Sequence, residues 1–156
     1  MAPTVLVACS GPKLEHAAPA RDLYTSDLFR KSRAWAERFG SAWFILSAKH
    51  GLVHPAHELA PYDVTLKAMT KRERAAWSAR VALQWSELEL GRPVIVLAGA
   101  DYRAWCDGRA GFSAPMQGLG IGLQLQWLKR ELAASSSSSS SSTSSAPAWA
   151  WHRGNA

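Results

Sequence analysis

The sequence predicts an α/β fold: three layers, with a mostly parallel sheet of about four strands and helices on both faces. Three observations predict it. Short apolar runs alternate with helical patterns, the order of βαβ units. The runs Thr4–Ala8, Ala42–Ser47 and Pro93–Ala98 lack polar alternation, as strands covered on both faces do. Helix start and stop signals lie between them.

Thr4–Ala8 (TVLVA) reads as the first strand and ends at the turn Cys9-Ser10-Gly11-Pro12. Residues 13–23 read as loop. Thr25 or Ser26 caps a helix starting near Asp27, whose carboxylate suits the helix dipole. Leu28, Phe29, Trp35, Ala36 and Phe39 supply its apolar face, and Gly40 stops it. Ala42–Ser47 (AWFILS) is the second strand, followed by a connection over 48–64 punctuated by Gly51, Pro55 and Pro61.

Thr70-Lys71-Arg72-Glu73 fits a capping box, in which hydroxyl and carboxylate each satisfy a free amide. The helix it opens runs to about Glu89. Trp77, Val81, Trp85 and Leu88 form one buried stripe along it. Pro93–Ala98 is the third strand, and a short helix starts after Asp101. Phe112–Ala114 is a fourth, very short strand. The glycines at 118, 120 and 122 lead into a last helix ending near Leu132. Their GxGxG spacing is not a dinucleotide fingerprint; it reads as tight helix–sheet approach, with the helix N-terminus offering amides to an anion as the alternative. No cofactor is therefore expected.

The 156 residues divide into one domain over 1–133 and a disordered, serine-rich tail over 134–156. Two cysteines exclude a disulfide framework, and neither has metal-ligand spacing around it. No stretch has the apolar length of a membrane span, and no signal peptide is recognisable, so a cytoplasmic protein with no membrane partner is expected. The net charge is +6. It is concentrated: Lys67, Lys71, Arg72, Arg74 and Arg80 face a single acid, Glu73, in one stretch. A basic face of this kind suits a nucleic acid or nucleotide.

Ligands of open parallel sheets bind outside the carboxyl ends of the strands. Applied here, that rule gathers most of the distinctive polar residues on one rim. The first strand delivers Cys9, Ser10 and Lys13, of which Ser10 and Lys13 suit a phosphate. The second delivers Ser47, Lys49 and His50: a hydroxyl, an ammonium and an imidazole that can serve a leaving group. Gly51 permits a sharp turn and close backbone approach there. The third delivers Asp101 and Tyr102, and the fourth Gln117. Pro61-Tyr62-Asp63 adds a second aromatic–carboxylate pair. Tyr24, Tyr62 and Tyr102 are read as base-stacking groups, and Asp63 and Asp101 as carboxylates for water or a developing cation.

The segments Cys9-Ser10-x-x-Lys13, Ala20-Arg21-Asp22-Leu23-Tyr24, Leu46-Ser47-Ala48-Lys49-His50-Gly51-Leu52-x-x-Pro55, Pro61-Tyr62-Asp63 and Gly118-Leu119-Gly120-Ile121-Gly122 resemble a bacterial and phage family of uncharacterised domains. Members of that family often occur near phage or DNA-modification genes. The resemblance runs from about Val5 to Leu132. More distantly, Leu46-Ser47-x-x-x-Gly51-Leu52-x-x-Pro55 with Pro61-Tyr62 is similar to the YaaA family of peroxide-stress, DNA-binding proteins. That family has Arg where Asp63 stands, and a longer chain. The resemblance implies an α/β fold and a nucleic-acid or nucleobase theme, and supplies no catalytic residue. Two functions are expected. One is an enzyme that cleaves or exchanges an N-glycosidic bond in DNA or a nucleotide. The alternative is a non-catalytic DNA-binding module of stress or phage response.

Overall fold

A computed structural model of the chain describes residues 2–9 and 11–137. Its elements run β1 (Thr4–Ala8), β2 (Ala18–Pro19), α1 (Ala20–Leu23), α2 (Asp27–Phe39), β3 (Ala42–Ser47), β4 (Gly51–Val53), β5 (Glu58–Leu59), a 3₁₀ turn (Leu66–Ala68), α3 (Lys71–Leu88), β6 (Val94–Leu97), α4 (Ala100–Arg103), β7 (Phe112–Ser113) and α5 (Ile121–Ser137). Five strands make one mixed sheet in the order β4-β3-β1-β6-β7. The β1–β3, β1–β6 and β6–β7 pairs are parallel, and β3–β4 is antiparallel. The fold is α/β and mostly parallel, as expected, but with one strand more than the sequence suggested.

The extra strand is β4, hidden in the expected loop. Ser47 pairs with Gly51 across a tight reversal, and three residues are too short a run to announce a strand. Gly51 has φ +74°, and a Cβ there would collide with the Gln84 side chain. The sharp turn and close approach expected of Gly51 are both present. From α3, Gln84 accepts from the Leu52 amide at 2.8 Å and donates to the His50 carbonyl at 3.3 Å. Arg80 donates to the Lys49 carbonyl at 2.8 Å. The residues read as loop over 13–23 likewise hold β2 and α1, with β2 paired to β5 in a separate ribbon.

Sheet residues alternate between two apolar clusters. Val5, Val7, Ile45, Ile95 and Leu97 pack with Phe29 and Trp35 of α2 and Trp127 and Leu128 of α5. Leu6, Leu46, Val94 and Val96 pack with Trp77, Val81 and Trp85 of α3. The period-2 pleat thus sends neighbouring residues of one strand to different helices. Trp35 stacks obliquely on Trp127 at 5.8 Å and donates to Glu131 at 3.4 Å, joining α2 to α5.

The helix starts follow the capping signals. Ser26 accepts from the Phe29 amide. Thr70 and Glu73 form the complete box, at 3.1 and 2.9 Å. The stripe of α3 is shorter than expected, because Leu88 is 41% exposed. It is the last helical residue, and the chain leaves it through Glu89 at φ +49°. The glycine run does not mediate tight packing either: a Cβ at Gly118, Gly120 or Gly122 would meet open space. Its structural demand is the positive φ of Gly118.

The last helix continues past Leu132 to Ser137, into residues assigned to the tail. The rest of that tail, and Ser10, lie outside the described residues. Among those described, no helix is long and apolar enough to cross a membrane.

Candidate functional site

The strand order creates a crevice. From β1 the chain moves to β3 on one side; from β3 and β4 it crosses back to β6 on the other. Loops leaving the carboxyl ends of β1 and β6 therefore diverge, and a ligand can enter between them. A cavity of about 440 Å³ lies there. Ala8 and Cys9 line it from β1, and Leu97 to Tyr102 from β6. Its volume is in the range of small-molecule sites.

Three expected site residues meet on this cavity: Cys9, Asp101 and Tyr102. The Cys9 thiol donates to the Tyr102 hydroxyl at 3.6 Å. Burial, reinforced by the neighbouring Cys9, pushes the Tyr102 phenol far above its ordinary range. It therefore keeps its proton throughout the physiological range. Tyr102 also stands edge-on to Trp77 at 5.5 Å, which fixes its ring. Asp101 is exposed at the rim. It does not cap its helix with its side chain; Gly99 is the N-cap, and no side-chain cap bond forms there.

The sequence reading missed the opposite wall. Ser32, Lys67 and Gln124 also line the cavity. Ser32 is 3% exposed on α2, three residues from each of the core aromatics Phe29 and Trp35. A small hydroxyl on an otherwise apolar helix face was the signal available. Gln124 carried none, and Lys67 only its place in the basic stretch, since their elements meet the crevice through tertiary packing.

A second group of expected residues assembles at the end of β3. The Tyr62 hydroxyl shares hydrogen bonds with Ser47 Oγ at 2.7 Å and Tyr24 at 2.6 Å. Ser47 also accepts from the His50 amide at 3.1 Å. Lys13 sits over the Tyr62 ring at 4.5 Å, and His50 stands edge-on to it at 5.5 Å. Burial raises the phenols of Tyr62 and Tyr24, the latter to about 12. Burial, then the charges of Lys49, Arg80 and His57, lower the His50 imidazole.

This network corrects several expected roles. Tyr24 is 1% exposed and packs on Phe29 at 4.9 Å, so its ring belongs to the core and offers no stacking face. Ser47 is fully buried, and its hydroxyl is committed on two sides. Lys49 turns instead to a separate cavity shared with Glu73, Trp77 and Arg80. Gln117 lines a third, small cavity beside Arg103. Asp63 is exposed and lines none of these three. The single rim expected from the sequence is thus several places. Among the described residues, no group of three or more His, Cys, Asp or Glu gathers as metal ligands.

No curated protein and no solved structure matches the chain. One family does, described as "Family of unknown function (DUF6884)", over residues 4–130. That span starts with the first residue of β1, takes in all five strands of the sheet and ends within α5, so it contains the crevice and the tyrosine network together. The chain belongs to this family of unknown function.

Proposed function

We propose that the crevice binds a nucleoside- or nucleotide-sized ligand and cleaves or exchanges its N-glycosidic bond. One observation carries the reading. A carboxylate and a protonated phenol, Asp101 and Tyr102, line a ligand-sized cavity where the chain connections of the sheet diverge. Breaking the bond between sugar C1′ and the base nitrogen leaves an oxocarbenium-like sugar and an electron-rich base. Asp101 orients the attacking water, stabilises the developing cation and accepts the water proton. Tyr102 donates a hydrogen bond to the departing base, and solvent completes its protonation. In exchange, an incoming base takes the place of water. Lys67, exposed at the cavity wall, takes a phosphate.

The nucleobase theme also draws on the resemblance read in the sequence of the Leu46–Tyr62 region to YaaA-type proteins and of the whole domain to a bacterial and phage family of uncharacterised domains. The leaving-group role expected of Lys49 and His50 passes to Tyr102 in this reading, because neither lines the crevice. The test is mass spectrometry of bases and nucleosides released from modified DNA, unmodified DNA and free nucleotides. A free base should appear with at least one of them, and Asp101→Asn should lower its release by about 100-fold or more. No base from any substrate would end the reading.

The DNA-binding alternative is favoured by a different observation. Lys67, Lys71 and Arg72 are exposed around the start of α3. The face is smaller than the sequence suggested, since Arg74 donates to the Met69 and Leu66 carbonyls and Arg80 to that of Lys49. It predicts salt-dependent gel shifts that weaken when Lys71 and Arg72 become Gln.

A further inference from the structure

A buried cation stands beside a small cavity away from the crevice. Arg103 is 7% exposed, and its Nε and Nη1 are buried without a hydrogen-bond partner. Ser113 Oγ, buried likewise, also has none. Both residues line a cavity of about 90 Å³, together with Gln117, Cys106 and the carboxylate-bearing Asp107. Its lining shares no residue with that of the crevice.

A guanidinium removed from water is costly unless its donors are matched. Asp107 matches them only in part. Its carboxylate lies 4.0 Å from Nη1, beyond hydrogen-bonding distance, and its side chain is 52% exposed. Cys106 adds no charge, because burial and the nearby Asp107 push its thiol up to about 12. Arg109 adds a second positive charge nearby, although its own Nε is held by the Trp105 carbonyl. Arg103 and Arg109 together outweigh Asp107 in charge, and the two residues with unmet donors, Arg103 and Ser113, both line a volume of about three waters at ~30 Å³ each. A tetrahedral oxyanion fits that volume and presents acceptors on every side.

We infer that Arg103, Ser113 and Gln117 form a second ligand site, which takes a phosphate- or sulfate-type oxyanion, either free or as the terminal group of a phosphomonoester. Arg103 provides the charge-assisted hydrogen bonds. The hydroxyl and amide complete the shell.

Isothermal titration of the full chain with inorganic phosphate, sulfate and glycerol phosphate, at ionic strength fixed with chloride, tests it. Saturable binding is expected. Arg103→Met should weaken it at least about tenfold, the scale of a lost charged hydrogen bond. Ser113→Ala should weaken it a few-fold. Asp107→Asn should tighten it a few-fold, since a competing carboxylate is removed from a half-exposed position. The Asn and Ala variants decide the matter if Arg103→Met does not fold. Tighter binding of glycerol phosphate than of phosphate would assign the site to a ligand's phosphate, and the reverse to the free ion. Absence of saturable binding, or affinities unmoved by these substitutions, would overturn the inference and mark the cavity as a water site.

Discussion

Two neighbouring regions of one sheet edge treat their polar groups in opposite ways. At the end of β3, Ser47, Tyr62 and Tyr24 bond one another, with Lys13 and His50 packed against the Tyr62 ring. Between β1 and β6, Asp101 stands exposed beside a cavity that could hold a ligand. The first arrangement resembles a small polar core, satisfied from within. The second is open to a partner from outside. Chemistry needs the second kind of place; the first is suited to holding the loops that shape it.

The sharpest way to separate the two is substitution on each side. Asp101→Asn should lower base release by about 100-fold or more, the scale of a lost acid–base group. Its melting temperature should stay within a degree or so of the wild type, because the residue is exposed. A large loss of stability would mean that Asp101 belongs to the framework after all. Tyr62→Phe should do the opposite kind of damage. It removes the hydroxyl shared by Ser47 and Tyr24 and should cost about 1–3 kcal/mol in chemical denaturation. A neutral result would show that the network contributes little.

A spectroscopic titration probes both regions at once. The chain has three tyrosines, and burial raises all of them. Phenolate absorbance should therefore be nearly absent at pH 10, the ordinary midpoint, and should emerge only when alkali unfolds the protein. A titration step centred near pH 10 and carrying a third of the full amplitude would identify one ring as solvated, and the single-tyrosine variants would say which.

The smallest effect concerns His50. Its imidazole is lowered from an ordinary 6.5, so the unfolded chain binds the proton that the native state resists. Stability should be fully present above about pH 6.5 and decline as pH falls below it. His50→Gln should flatten that decline. An unchanged slope would place the pH sensitivity elsewhere.

The comparison also explains what could be seen in the sequence. The three buried strands and the caps at Ser26 and Thr70 were legible, because burial on both faces and capping leave local signatures. So was the rule that the strand ends bear the polar residues. Which of those residues would share a place was not. Past a strand end the pleat no longer dictates direction, and a few residues send Ser47 into the network and Lys49 to another cavity. β4 was invisible for a related reason: its pairing with β3 and the grip of α3 define it, not its own three residues. Lys67 and Gln124 reach the crevice from elements far apart in the chain, which one-dimensional patterning does not encode.

The contact between α3 and the β3–β4 hairpin has a kinetic consequence. Gln84 and Arg80 hold backbone atoms of Lys49, His50 and Leu52, so the hairpin cannot open fully while the helix stays seated. These segments should act as one cooperative unit in hydrogen exchange. The Leu52 amide, which points at a side chain 32 residues away, then serves as a reporter of whether the whole helix is docked.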